Sequence, residues 1–564
     1  MPEIMSPAFI YLAAVLLVPL IPQGPVRGLF LLAVPIAALA TFWDLPHGTY
    51  TQLAFIGYPL ELFRLDALSF IFGLIFSIAA FLSLLYAWHV RDTVQQIAAL
   101  LYAGSGIGAV FAGDLITLFI FWEGTAIASV FLIWARRTEG AYHTGLRYLI
   151  VQIGSGVLLL AGAVLIYRDT GSLVFEKMQL ANLGTLLIFL AFGIKCAFPL
   201  LHNWLQDAYP AGTITGTVIL SAFTTKLAVY ALARGFAGTE SLIYIGAVMT
   251  LFPVFFAAIE NNLRRVLAYS LNNQLGFMVV GIGVGTPLAL NGTVAHAFCH
   301  ILYKALLFMS VGAVMFRTGT AKASELGGLY KSMPYTMIFC VIGAASISAF
   351  PLFSGFISKS LILSGTADAG HWIVWGVLIV ASVGVLEHSG IKVPYFTFFA
   401  HDRGIRCKEA PWNMLLAMGL TAAFCIGLGV YPAPLYALLP NAVEYHPYTT
   451  THVITQLQLL LFAGLAFAVL IRTGLYPAEI RSVNLDTDWS YRRLLPALIG
   501  GLGRIIDGAW RALVGVSLGR LDRFLAGIYR AHGPQGPLAR SWPTGSMVLW
   551  IALLLGATLF LNYI

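Results

Sequence analysis

Lys195 and Lys226 stand deep within apolar runs long enough to cross a bilayer, in GIKCAFPLLHNWLQDAYPAGTITGTVILSAFTTKLAVYALAR over 193–234. A charge at the bilayer centre costs about 2.5–3.5 kcal/mol on insertion scales, and an intramembrane ionisable residue is by default part of a proton or ion path. Glu123 lies midway along another such run, GDLITLFIFWEGTAIASVFLIW. Two readings are open for it: a neutral buried carboxyl bonded to a neighbouring helix, or the partner of Lys195. A desolvated amine loses proton affinity and regains it beside a carboxylate. A Glu–Lys pair that can be pulled apart is therefore a proton-affinity switch. His202 falls on the same face as Lys195 if the helix resumes after Pro199, and would then pass protons between Lys195 and Lys226. Asp207 fits a solvated helix end or a cap as well as a port.

His296, His300 and Lys304 recur every fourth residue in AHAFCHILYKALLF. Each step advances about 40° beyond a full helical turn, so the three form one polar stripe. Paired histidines can ligate metal or haem, but no further ligands accompany these. A histidine wire ending on a lysine fits better, because imidazole titrates near neutrality. Glu387, His388 and Lys392 in SVGVLEHSGIKVPYF add a last cluster, with His388 and Lys392 on one face and Glu387 pointing away. An exit port and a set of stabilising interfacial residues are both open for it. The tetrapeptide Ala197-Phe198-Pro199-Leu200 returns as Ala349-Phe350-Pro351-Leu352, with Lys195 just before one copy and Lys359 just after the other. Paired interrupted helices in corresponding halves are the sequence pointer to a transporter core built from repeats.

The elements that position these groups are membrane spans. Of 564 residues, 59% are hydrophobic and only 10% charged, with mean hydropathy +0.85. A soluble chain of this size needs about 25% charged residues, so this is an all-α polytopic membrane protein. About sixteen segments reach or approach the roughly 20 apolar residues that a span requires. The N-terminal run MPEIMSPAFIYLAAVLLVPLIPQG lacks a basic start and reads as a retained first helix rather than a signal peptide. Residues 49–64 alternate weakly and predict a small extended hairpin at the surface. Arg27, Arg91, Arg136, Arg137, Arg264, Arg265, Arg317, Lys322, Lys331, Arg403, Arg406 and Lys408 fall in alternate connections, whereas the others hold only Arg64, Arg168, Lys177 and Arg234. The positive-inside rule then places both termini outside the cytoplasm, in a multi-pass protein of the cell (inner) membrane. Residues 473–544 break the pattern. From Trp489 to Tyr529 apolar residues recur at three- and four-residue spacing between Arg504, Arg511, Arg520, Arg523 and Arg530, as in an amphipathic helix lying in the interface. A membrane-hugging linker and a lateral brace against a neighbouring subunit are both open for it. A final span follows at 545–564.

The formal charge of +8 belongs to the loops and reflects topology, not nucleic acid. Cys196, Cys299, Cys340, Cys407 and Cys425 are scattered singly, so no disulfide framework, zinc site or iron–sulfur site is expected. The glycine runs GSGIG (104–108) and GIGVG (281–285) lie in apolar spans with no preceding strand, and read as helix-packing glycines rather than nucleotide loops. No cofactor and no redox centre are expected in this chain.

Phe121-Trp122-Glu123, Gly193-Ile194-Lys195 with Pro199-Leu200-Leu201-His202-Asn203-Trp204, Lys226, the His296–Lys304 stripe and Gly355-Phe356-Ile357-Ser358-Lys359 together resemble the antiporter-like proton-translocating subunits shared by respiratory complex I and the Mrp-type Na+/H+ antiporters. The resemblance spans about residues 60–430. It implies a core of about fourteen helices with two inverted five-helix repeats, each containing a broken helix: N-terminal helices over 1–94, repeats over 95–235 and 240–400, and further core helices over 401–472. It casts Glu123 and Lys195 as the switching pair, Lys226 as the connecting lysine and Lys359 as the terminal one. The stretches around SGIKVPYFTFF and HDRGIRCKEAPWNMLLAMGL look most like the D-type subunit of the antiporters, whereas the tail beyond 473 is more like the largest antiporter-like subunit of complex I. The implied partners are other membrane subunits of a hetero-oligomer, protons and a monovalent cation. The implied activity is cation/proton antiport, with the proton-pumping arm of an NADH–quinone oxidoreductase or of an inorganic-ion uptake complex as alternatives.

Overall fold

The computed structural model describes residues 4–55, 57–442, 444–476, 479–480, 484–537 and 544–563. Helices α1 (Ala8–Leu17) and α2 (Pro25–Ala40) lead into an antiparallel hairpin, β1 (Gly48–Phe55) and β2 (Tyr58–Leu65), as the weak alternation over 49–64 predicted. There follow α3 (Ala67–Tyr86), α4 (Thr93–Phe111), α5 (Leu115–Trp134) and α6 (Glu139–Thr170). A first broken span comprises α7 (Leu183–Cys196) and α8 (Asn203–Ala211), and a second comprises α9 (Ile214–Leu220) and α10 (Thr224–Gly235). Next come α11 (Ser241–Ile259), α12 (Leu263–Val284) and α13 (Pro287–Thr318), then a further broken span, α14 (Pro334–Ile347) with α15 (Ser354–Asp368). Helix α16 (Trp372–Val385) runs through π-helical turns at Leu386–Ile391 and Tyr395–Phe399 that flank the short α17 (Lys392–Pro394). The first compact unit closes with α18 (Trp412–Val430), α19 (Ala433–Ala437) and α20 (Thr450–Thr473).

Among the described residues, eleven helices are long and apolar enough to cross a membrane, and four shorter ones are apolar. With α12 they account for every span the sequence predicts. Helix α12 carries Ser270, Asn272, Asn273 and Gln274, all fully buried, so it is a span wrapped by protein rather than by lipid. Helix starts follow local chemistry. The carboxylates of Asp66, Asp92 and Asp114 accept from the first free N–H groups of α3, α4 and α5, and Asn182 and Asn262 do the same for α7 and α12. The glycine runs pack helices as expected: a Cβ at Gly104 would strike Tyr11, one at Gly106 Phe223, one at Gly108 Phe121, and one at Gly283 the backbone of Ile243.

Two faces can be told apart by their contacts. On the hairpin face, the Glu61 N–H donates to Asp114, Arg64 donates to the carbonyls of Gly113 and Phe175, and Arg234 pairs with Asp66 at 2.8 Å. On the opposite face, Arg137 pairs with Asp92, Arg147 with Asp207 and Lys331 with Asp402. The two copies of Ala-Phe-Pro-Leu take the same backbone: Ala197 and Leu200 have φ of 62° and 69°, and Ala349 and Leu352 have 56° and 73°.

The second compact unit contains α21 (Leu495–His532), preceded by a π turn at Ser490–Leu494, and α22 (Thr544–Tyr563). Helix α21 runs for 38 residues through the predicted amphipathic stretch. Positions 477–478, 481–483 and 538–543 of that stretch lie outside the described residues.

Candidate functional site

Three of the buried lysines stand beside a broken helix, and four of the five donate to main-chain carbonyls. Lys195 occupies the last turn of α7, just before the left-handed Ala197 ends that helix. Its ammonium reaches α5, donating to the Trp122 carbonyl at 2.5 Å and the Thr125 hydroxyl at 2.8 Å, and lies 4.5 Å from the Trp122 ring centroid. The indole N–H of Trp122 donates in turn to Ser155, which donates to the Ala191 carbonyl on α7. Lys226 sits in the first turn of α10 and donates to the Ser221 carbonyl, in the break after α9, at 2.6 Å. Lys359 donates to the Ile347 carbonyl at the end of α14 at 2.8 Å and lies 5.2 Å from the Phe277 ring centroid. A helix that stops inside a bilayer leaves carbonyls without intrahelical donors, and a cation is the strongest donor to place there.

The break that holds Lys226 has no proline, and no residue in the apolar run before Lys226 marks it in the sequence. Pro199 and Pro351 announced the other two breaks. Here Ser221, Ala222 and Phe223 interrupt the helix, so Lys226 stands one turn past an interruption rather than within a regular span.

Glu123 and Lys195 are near one another but not in contact: among the described residues, no ion pair of 4 Å or less joins them. Consecutive positions on α5 point about 100° apart. The ammonium takes the Trp122 carbonyl, whereas the Glu123 carboxylate leans across Gly156 of α6, where a Cβ would collide with Oε1. Glu123 Oε1 is buried without a hydrogen-bond partner among the described residues. The helix does not resume directly after Pro199: the Ala197–Leu200 corner separates α7 from α8, and His202 stands just before α8. Its buried ring packs on Phe252 of α11, with centroids 4.5 Å apart. Asp207 is held by Arg147 at 2.8 Å.

Helix α13 is buried along nearly its whole length, and His296, His300 and Lys304 are fully buried on it. His296 Nδ1 lies 3.0 Å from the hydroxyl of Ser358, the residue before Lys359, and its Nε2 lies 3.2 Å from Gln274 Oε1 of α12. Tyr303 also donates to Gln274. Among the described residues, both ring nitrogens of His300 and the ammonium of Lys304 have no hydrogen-bond partner, and neither has the side-chain amide of Asn272. His300 lies within electrostatic range of Lys226, Lys304 and Lys359, and His388 within range of Lys304, Lys359 and Lys392. Cys196, next to Lys195, is within range of Lys226.

In the last cluster, His388 contacts Ser389, which donates to Ser270 of α12. Lys392 is fully buried and donates to the carbonyls of Ala257 and Ala258, where α11 ends. Two partners come from beyond α20. Glu479 pairs with Lys392 at 2.8 Å, and Tyr476 donates to Glu387 Oε1 at 2.5 Å. Gln274, Ser358, Tyr476 and Glu479 were not singled out from the sequence. The run YSLNNQ (269–274) inside a span was the available signal for Gln274, while Glu479 lies in a connection with no pattern of its own. Among the described residues, no group of three or more His, Cys, Asp or Glu is arranged to hold a metal ion.

The family described as NADH:quinone oxidoreductase/Mrp antiporter, transmembrane, matches residues 112–384. The chain is 33% identical over 387 residues to the N subunit of the NADH-quinone oxidoreductase of Desulforudis audaxviator, covering 63% of this chain and 77% of that one. It is 30% identical over 353 residues to the D-type subunit of the Na(+)/H(+) antiporter of Alkalihalophilus pseudofirmus, covering 58% and 71%. It is 28% identical over 441 residues to hydrogenase-4 component B of Escherichia coli, covering 67% of this chain and 64% of that relative, just short of two thirds of its length. The fold is similar to a chain in the Mrp complex of Dietzia sp. DQ12-45-1b, with TM-score 0.77 at 24% identity over 92% of this chain and 62% of that one. A chain of the archaeal membrane-bound sulfane sulfur reductase gives TM-score 0.69 at 23% identity, covering 82% and 98%.

Proposed function

This chain belongs to the NADH:quinone oxidoreductase/Mrp antiporter membrane family, and we propose that it is a proton-translocating subunit of a multisubunit cell-membrane assembly exchanging protons for a monovalent cation, Na+ foremost. The supporting observation is the run of fully buried titratable groups: Lys195, Lys226, His296, His300, Lys304, Lys359, His388 and Lys392, with Glu123 beside its first member. Structural burial alone would favour complete pairing, since an unpaired buried charge is costly. Among the described residues, Lys304 and His300 instead have no hydrogen-bond partner. Lys195, Lys226 and Lys359, held on carbonyls, can surrender a proton without breaking an ion pair. The matching corners at Ala197–Leu200 and Ala349–Leu352 support the division into inverted repeats over 95–235 and 240–400.

The test is to reconstitute the purified assembly in vesicles with an imposed pH gradient and to add Na+, K+ or Li+. Collapse of the gradient with one of these ions, lost in Lys195→Ala, is expected. A gradient indifferent to all three would rule out the exchange. The 33% identity to an NADH-quinone oxidoreductase component favours a second reading, the proton-pumping arm of a redox-driven complex. In that case the same assembly would acidify vesicles only when an electron donor and acceptor are supplied.

A further inference from the structure

We propose that Glu479 is the acidic partner of Lys392 in the proton route and closes that route at the opposite face. It rests on the reading of this chain as a proton-translocating subunit. Lys392 has no solvent exposure, the Glu479 side chain has 7%, and they meet at 2.8 Å. Two charges leave water this completely only when paired; the carbonyls of Ala257 and Ala258 complete the shell of the amine, whereas among the described residues neither Glu479 carboxylate oxygen has a hydrogen-bond partner of its own. Three described residues beyond α20 engage the cluster: Tyr476 donates to Glu387, Glu479 pairs with Lys392, and Asn484 donates to Glu260 at 3.3 Å.

The groups facing the pair are Glu387 and His388 on its own helix, Glu260 at the end of α11, Arg265 of α12 at 3.8 Å from Glu260, and Tyr476. Lys392 lies between two π-helical turns, which are rare and concentrate at functional sites. Burial pushes the Glu479 carboxyl above the usual carboxylate range, and Lys392 pulls it back. Transfer from Lys392 Nζ to Glu479 Oε1 breaks one N–H bond and makes one O–H bond, turning the ion pair into two neutral groups. The carboxylic acid then releases its proton to water at that face, and the amine is ready to take another from His388, which lies within range of both Lys392 and Lys304.

The experiment uses the reconstituted assembly with four forms of this chain: unmodified, Glu479→Gln, Glu479→Asp and the double variant Lys392→Met/Glu479→Gln. Cation-driven proton flux is measured against the amount of assembled complex. We expect flux to fall roughly ten-fold or more in Glu479→Gln and to recover largely in Glu479→Asp, as for a positioned proton-transfer group. The double variant should assemble and remain inactive. A merely structural pair would behave differently, because removing both charges cures the unpaired amine and flux would return in the double variant. That return, or undiminished flux in Glu479→Gln, would overturn the role of Glu479 while leaving the transport reading intact. Absence of flux in the unmodified assembly would overturn both.

Discussion

The chemistry of Lys195 depends on which neighbour takes its ammonium. In this structure that neighbour is the Trp122 carbonyl, while Glu123 waits one position away over Gly156. Lys195→Ala or Glu123→Ala should abolish proton-coupled flux while the assembly forms normally; ordinary exchange in both variants would remove the pair from the mechanism. Gly156→Ala is a sharper probe, because its methyl group must displace the carboxylate. We expect flux to fall at least about ten-fold, equivalent to ~1.4 kcal/mol in the barrier, with melting temperature changed little. At the other break, Lys359→Glu should retain more flux than Lys359→Ala, since a titratable group is what the position supplies; equal losses would contradict this. Residue types were legible in the chain because charge inside an apolar run is conspicuous. Contacts were not: nothing in FIFWEGT says that Trp122 offers its carbonyl while Glu123 turns to α6.

Breaks are the decisive elements. The two that carry proline were readable, and their identical tetrapeptides adopt one backbone solution with two left-handed residues each. The third, at Ser221–Phe223, was not, because none of its residues is barred from a helix; the Lys226 bond to the Ser221 carbonyl marks it only in the structure. Leucine in the left-handed region costs about 1–2 kcal/mol, and Leu200 exposes 73% of its surface, so its side chain contributes little in return. Leu200→Gly should therefore leave thermal stability unchanged or raised, whereas Leu200→Val should lower it by roughly 1 kcal/mol or more. The two variants are compared by melting in detergent, and a more stable Val variant would show that the corner relaxes.

Across the whole molecule, hydropathy revealed the spans, but the order in which they enclose α13 depends on contacts far apart in sequence. The loop after α17 offers a pH test outside the membrane. Arg406, Lys331 and the Gly404 N–H donate to Asp402 and hold its carboxyl well below the usual range. A depressed folded-state value means that the stabilisation is present above the unfolded value and lost as pH falls through the folded one. Asp402→Asn should thus weaken hydrogen-exchange protection of residues 401–408 at pH 7, with the difference from the unmodified chain shrinking at the acid extreme. An equal deficit at every pH would exclude the carboxylate as its cause. The hairpin face is joined largely by backbone groups, with Arg64 bridging Gly113 and Phe175 and the Leu115 and Phe175 N–H groups bonded to Leu173 and Gly113. Its counterpart is joined in both ways: the Leu263 and Ala323 N–H groups bond to the Ala321 and Asn261 carbonyls, and Arg137, Arg147 and Lys331 pair with Asp92, Asp207 and Asp402. Main-chain stitching on both sides means that parting the helices at either edge must break backbone pairs as well as ion pairs, so added salt alone would unfasten neither.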